Sequence, residues 1–426
     1  MQARYNAPRF PLKPISELAL RLQYGTSSLA TEEPIGLPIL RMNNLQADGW
    51  DLSDLKYIEL PPTEMEAYRL VPGDILFNRT NGSRDLVGKC EVFHETGHWI
   101  FASYLIRMSI DTSKALPEFI SAFLNTSAGR LQIERVSRQI LMSNINLEEI
   151  KSLLIPIPPI DTQRELVGTL EAGRLSRRQQ LADAAELLSG VDGFLLEKLG
   201  LHKPPVPTGS RIYFAVKLKE ISHYGRLNAN YYHPEREAAI RAMQDGGNMG
   251  RLGDIALFVR DITNVTDPTE YTGLANVQRN TGELIDVAGE EAEGTAFRFQ
   301  EGDVLFARLR PYLNKVFRAE KGGVCSTEFH VIRVNATSAV LPDYLATVLR
   351  SSLVVAQTKH MMTGNTHPRL ANEDVANLVV PIPSQKIQKA VVAEVVRRRT
   401  NARQLQDDAA AQWATTKKWF EDQLLG

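Results

Sequence analysis

Short apolar blocks and alternating runs mark two strand-rich stretches of the chain, and each gives way to a long charged helix. Asp74-Ile75-Leu76-Phe77 and Phe329-His330-Val331-Ile332-Arg333-Val334, with Gly-Asp turns leading into the first and its counterpart at Gly302-Asp303, predict strands. A short amphipathic helix follows in each case, from about Pro117 to Asn125 and from about Pro342 to Ser351. Proline cannot occupy a helix interior, so Pro156, Pro158 and Pro159, like Pro381 and Pro383, punctuate the junction with what comes next. From Thr162 to about Lys198, apolar residues recur at Leu181, Ala184, Leu188, Val191 and Leu195, the three-and-four spacing of a coiled-coil seam. A second long helix, from about Gln385 to Leu424, places Ile387, Val391, Val395, Ala402, Leu405, Ala409, Trp413, Phe420 and Leu424 along one stripe.

The chain is written twice. Gly73-Asp74-Ile75-Leu76-Phe77-Asn78-Arg79 returns as Gly302-Asp303-Val304-Leu305-Phe306-Ala307-Arg308, and Leu116-Pro117-Glu118-Phe119-Ile120 returns as Leu341-Pro342-Asp343-Tyr344-Leu345. Pro156-Ile157-Pro158 falls on Pro381-Ile382-Pro383, with Gln163 on Gln388. The order is the same in both copies, and the offset drifts from 229 to 225 residues (302−73, 381−156), as short loop insertions in a duplicated unit require. Two long helices at equivalent ends of two copies are expected to pair antiparallel. The division this predicts is a first body at 1–157, a central helix at 158–200, a second body at 201–384 entered through a linker at 201–210, and a distal helix at 385–426. The fold class is α+β, with two similar β-rich bodies separated by two long antiparallel coiled-coil helices about a pseudo-twofold axis.

Composition narrows the function. The 426 residues carry 49 Lys and Arg against 50 Asp and Glu, a formal net charge of −1, which excludes a uniformly basic nucleic-acid binder and leaves only local basic loops for that role. Cys90 and Cys325, two cysteines in so long a chain, suit a reducing compartment; with no signal-peptide or membrane-spanning pattern, a cytoplasmic protein away from the membrane is expected. Common catalytic patterns fail. Gly82 to Lys89 has five residues between its glycines and Cys90 where a phosphate loop needs Ser or Thr. Cys90, His94 and His98 do not close a structural zinc site, and Pro342-Asp343 with Gln357 and Lys359 is only a degenerate echo of a nuclease motif. Neither a dinucleotide fingerprint, an adenine-methyltransferase tetrapeptide nor a nucleophile elbow is present. No catalytic residue, metal ligand or cofactor is therefore assigned to this chain.

Tyr24-Gly25-Thr26-Ser27-Ser28, Gly73 to Gly82, Gly302 to Lys315, Ser326-Thr327-Glu328-Phe329 and the two Pro-Ile-Pro junctions with Gln163 and Gln388, in this order, resemble the DNA-specificity subunits of type I restriction-modification systems. The resemblance covers nearly the whole chain. It departs at the second junction, where Pro383-Ser384-Gln385 replaces the second proline of Pro158-Pro159-Ile160. It implies two target-recognition domains, each reading half of a split site in double-stranded DNA, and conserved helices that dock two methyltransferase subunits. Those subunits would bind S-adenosylmethionine, and motor-nuclease subunits would translocate and cut.

Base readout needs Arg, Asn, Gln or Ser on loops that reach a groove, and phosphate contacts need cations beside them. The first copy offers Arg79, Asn81, Ser83, Arg84 and Lys89, supported by Ser143 and Asn144; the second offers Arg308, Arg310, Tyr312, Asn314 and Lys315, supported by Asn365, Thr366 and His367. Leu181, Leu188, Val191, Leu195, Leu405, Trp413 and Phe420 are the candidates for the helix seam that holds partners. Because the two loops are unlike, the target is expected to be asymmetric. A coiled-coil scaffold, or a DNA-binding regulator without methyltransferase partners, would share the repeat and the helices.

Overall fold

The computed structural model describes residues 8–46, 49–81, 86–140, 142–205, 214–219, 221, 227–265, 271–285, 294–362 and 366–425. It divides into two compact units, Met1–Leu181 with Gln406–Gly426, and Ala182–Leu405. Each unit holds one body and a share of both long helices.

The first unit is built on a four-stranded antiparallel sheet with the order β1 (Ala19–Tyr24), β4 (Leu105–Ile110), β2 (Ile75–Asn78), β3 (Cys90–Val92). Ile75, Phe77, Ile106 and Met108 face the main core, whereas Leu76 and Leu105 face a second cluster with Leu40, Phe93 and Phe101. Burial on both faces is why the motif reads as a continuous apolar run rather than a strict alternation. Gly73 turns the chain into β2 at φ +96°, a conformation that glycine adopts without a Cβ penalty. Helix α1 (Pro117–Leu124), with proline in its first turn, lays Phe119, Ile120, Phe123 and Leu124 against this core. Thr126 then caps a further helix, α2 (Ser127–Val136), by accepting the Gly129 N–H.

The second unit repeats the plan. Its central sheet runs β5 (Ala256–Val259), β8 (Phe329–Val334), β6 (Val304–Ala307), β7 (Val316–Arg318), the same antiparallel order. Val304, Phe306 and Ile332 face one core, and Leu305, Ala307, Phe329 and Val331 face another. Helix α4 (Pro342–Leu349) takes the place of α1; it ends two residues before the expected Ser351, because Ser351 caps the next helix, α5 (Ser352–Thr358), by accepting the Val354 N–H. The segment without a counterpart in the first copy folds as α3 (Pro234–Asp245) and buries Tyr231, Tyr232, Ala239 and Met243 in this unit's core.

The repeated polar residues are architectural. Asp74 lies 3.8 Å from Arg107, and Asp303 takes two 2.7 Å bonds from Arg333, so a guanidinium on the neighbouring strand faces this aspartate in both units, from register positions two residues apart. Gln132 and Gln357 each bridge a late helix to the strand before the proline junction, through Leu154 and Val379. Both expected long helices form: Ile160–Lys198, which begins two residues ahead of Thr162, and Gln385–Leu425. The Gln163 amide, 0% exposed, accepts the Leu116 N–H at 2.9 Å and donates to the Pro158 carbonyl at 2.9 Å. Gln388, equally buried, does the same with the Leu341 N–H (2.8 Å) and the Pro383 carbonyl (2.9 Å). The substitutions around the second proline junction thus leave this joint intact.

Within the first unit a Cβ at Gly173 would fall 2.9 Å from Thr416, and Gln180 bonds Gln412, so numbers rise on one helix as they fall on the other. Phe420 joins the core of this unit, with Trp413 packed against it. Within the second, the Arg398 guanidinium sits over Phe194 at 5.3 Å, and Leu195 shares a core with Val391 and Val395, with Val191 alongside. Leu181, Leu188 and Leu405 are half-buried. The helices therefore pair and also pack on the body of the unit they occupy.

Candidate nucleic-acid interface

In the first unit the Arg79 N–H donates to the Tyr104 carbonyl, and its own carbonyl accepts from Ile145 at 3.0 Å. Thr80–Asn81 then pairs with Met142–Asn144, which pairs in turn with Arg138–Ile140. The loop expected to read DNA and the loop expected to support it are thus strands of one small sheet. The Arg79 guanidinium lies 4.6 Å over the Tyr24 ring and is half-buried there, a cation-π contact that holds it flat. Lys89 is half-buried, and its carbonyl accepts the Asn78 N–H. Asn144 keeps a buried Oδ1 without a hydrogen-bond partner among the described residues. Ser83 and Arg84 lie outside the described residues, as do the side chains of Asn81 and Ser143.

In the second unit the Arg308 N–H donates to the Glu328 carbonyl at 2.7 Å, and its carbonyl accepts from Leu370 at 3.1 Å. These are the counterparts of the two Arg79 bonds. Leu309 bridges Arg369, and the Arg310 N–H donates to the Pro368 carbonyl, so the basic loop and the 366–370 segment again lie side by side. Arg308, Arg310, Thr366 and His367 are exposed, and Tyr312 is 47% exposed. Asn365 lies outside the described residues.

Two candidates turn inward. Asn314 is only 8% exposed; at φ +52° it closes the turn after Tyr312, and its Nδ2 donates to the Arg350 carbonyl at 2.9 Å and to Asn280 Oδ1 at 3.3 Å. Asparagine tolerates this left-handed conformation, so its presence here serves the turn, and it leaves the set of groups facing solvent. Lys315 is half-buried and donates through Nζ to the Leu274 carbonyl at 2.6 Å.

Three contributors are not among the expected site residues, although Tyr24 and Glu328 stand in segments that carry the family resemblance. Glu328 receives Arg369 through Nε at 3.0 Å and Nη2 at 2.7 Å, a forked pair beneath the loop. His330, 4% exposed, stands where the first copy has Ile106; burial first, then the charge of Arg308, lowers its pKa to about 4. Tyr24 supplies the platform for Arg79.

Metal chemistry is poorly served. Cys90 is buried against Ser121 with its thiol pushed up to about 12, chiefly by desolvation, whereas His94 and His98 are exposed. Among the described residues His233, Glu235 and His360 bring ligand atoms within 4.8 Å of one another. The two imidazoles stack at 3.5 Å, which sets their lone pairs in parallel planes, and Glu235 is already engaged by Lys359 at 3.0 Å. The group is an ion-pair cluster joining α3 to α5. No helix among the described residues is long and apolar enough to cross a membrane.

Two like sheets, each extended by a loop pair and each joined to paired helices by a buried glutamine, define a duplicated specificity-subunit architecture. The family described as type I restriction modification DNA specificity domain matches residues 16–174 and 248–394, and the chain belongs to that family. The type I restriction enzyme EcoKI specificity subunit of Escherichia coli K12 is 33% identical over 153 residues, 35% of this chain and 33% of that protein. The type I restriction enzyme StySPI specificity subunit of Salmonella potsdam is 29% identical over 137 residues, 32% of this chain and 30% of that protein. The chain thus aligns with about a third of the length of these relatives. A solved structure described as the basis of complex assembly and conformational transition of the type I R-M system shares the fold, with a TM-score of 0.52 at 14% identity over 98% of this chain and 97% of that one.

Proposed function

We propose that the chain reads DNA for a type I restriction-modification assembly, recognising an asymmetric two-part target and docking two methyltransferase subunits through its long helices. S-adenosylmethionine would be bound by those subunits, which would methylate adenine, and motor-nuclease subunits would join through them. The observation that carries this reading is the recurrence of the same sheet edge in both units, bonded alike at Arg79 and Arg308 but furnished with unlike loops. A scaffold has no need of exposed Arg308, Arg310 and Tyr312 at one edge, whereas phosphates and base edges call for these side chains. A helix of 39 residues is about 58 Å long, enough to set a spacing of more than one duplex turn.

Co-expression with an adenine methyltransferase subunit of a type I system from the same genome, followed by genome-wide mapping of methyladenine, tests the reading. A motif of two unlike halves at fixed spacing is the expected result; an uninterrupted motif, or none, overturns it. Deleting seven residues from Ile160–Lys198 should shorten that spacing or abolish assembly, and an unchanged motif would sink the spacer role.

A further inference from the structure

The second reading loop is held differently from the first. In the first unit, Thr80–Asn81, Met142–Asn144 and Arg138–Ile140 form a backbone ladder. Among the described residues the second unit joins the equivalent segments through one isolated bridge, Leu309 opposite Arg369, and the Arg310 to Pro368 bond. At this point Glu328 and Arg369 meet. Glu328 immediately precedes β8, its carbonyl receives the Arg308 N–H, and its carboxylate grips the guanidinium of the residue that bridges Leu309. The pair thereby ties three segments together: the start of a core strand, the basic loop and the 366–370 segment. The first-unit residues in the matching positions, Tyr104 and Asn144, carry no opposite charges.

We infer that Glu328 and Arg369 are positioning residues for the second half-site: the fork sets the angle at which Arg308, Arg310 and His367 meet the groove. The inference rests on the DNA-reading proposal above. The side chains are 25% and 40% exposed, so solvent screens the pair and its removal costs the fold little. Its geometry is the larger contribution, because a guanidinium and a carboxylate joined at two points fix direction as well as distance. A base contact displaced by an ångström loses its discrimination while nearby phosphate contacts persist.

The test uses the full chain assembled with its methyltransferase, on duplexes carrying the mapped target or single-base changes in either half. Glu328→Gln, Arg369→Met and the double variant are each expected to lose about tenfold discrimination in the second half while keeping that in the first, with thermal unfolding unchanged. The double variant should be no worse than either single one, because both remove the same contact. Unchanged discrimination, equal losses in both halves, or additive effects would overturn the inference. Glu328→Asp, which keeps the charge, should recover part of the loss; if one variant fails to fold, its partner variant carries the same test. If the unaltered assembly shows no half-site preference, the DNA-reading proposal fails instead.

Discussion

The two units share a sheet order, a capped helix pair and a glutamine joint, yet they treat polar residues inside that frame differently. In the first, Arg107 is 3% exposed and spends its donors on Gln23 and the carbonyls of Arg69 and Ala67, with Asp74 3.8 Å away. In the second, Arg333 is 35% exposed and gives two hydrogen bonds to Asp303. Burial pulls the affinity of Arg107 for its proton down, whereas the Asp303 bonds push that of Arg333 up. The loop edges reverse the emphasis, a backbone ladder serving the first and a side-chain fork the second. Duplication preserves topology, because topology rests on apolar burial, and leaves each copy free to choose how its polar groups are satisfied.

The sharpest way to break the comparison is to remove the two arginines. Arg107→Ala removes a buried guanidinium on which Gln23 and the Arg69 and Ala67 carbonyls depend, and leaves the interior Asp74 with only the Val71 N–H and the Ser109 hydroxyl, so it should cost about 3–5 kcal/mol. Arg333→Ala leaves Asp303, itself 1% exposed, with the Gln300 N–H, but water can enter where the 35% exposed arginine stood and solvate the carboxylate, so it should cost about 1–2 kcal/mol. Denaturant unfolding of each variant measures the gap; equal costs would mean that the pairs are equivalent despite their burial.

His330 offers the next effect. Its folded pKa lies near 4 against an ordinary 6.5, so the unfolded chain takes up the proton first as pH falls. The stability concerned is fully present above about 6.5 and is lost as pH falls to about 4, roughly 3 kcal/mol in all. His330→Ile, the first copy's choice, should flatten the acid limb of thermal unfolding over that window. An unaltered limb would place the acid sensitivity elsewhere.

Smallest is the difference between Arg79 and Arg308. Charge reversal at the exposed Arg308 should weaken DNA binding about tenfold and lower its salt slope by about one. Reversal at Arg79, which lies against Tyr24, should change the slope less while disturbing the loop it braces. Binding titrations at several salt concentrations separate the two.

Much of this was legible in the residues. The ordered repeat gave the two bodies, and the three-and-four spacing gave the helices, because both depend on which positions are apolar. Polar roles were harder to read. Gly73-Asp74-Ile75-Leu76-Phe77 looks like a signature of function, but its glycine makes a turn, its aspartate meets an interior arginine, and its apolar residues fill two cores. Asn314 belongs to a basic, aromatic run and yet points inward, since only its backbone conformation reveals that it closes a turn. That Arg79 lies on Tyr24 and that Arg369 meets Glu328 depends on contacts between residues more than 40 positions apart, which no local pattern encodes.

The glutamine joint has a consequence for how such a subunit behaves in different solutions. Gln163 and Gln388 are uncharged and sealed from water, so neither ionic strength nor proton concentration acts on the bonds that fasten each long helix to its body. Contacts to a phosphate backbone weaken steeply with added salt, but these do not. If the chain reads DNA as proposed, it can release the duplex and take it up again across a wide range of ionic conditions with its own joints unchanged, because attachment within the chain and attachment to a phosphate backbone answer to different forces.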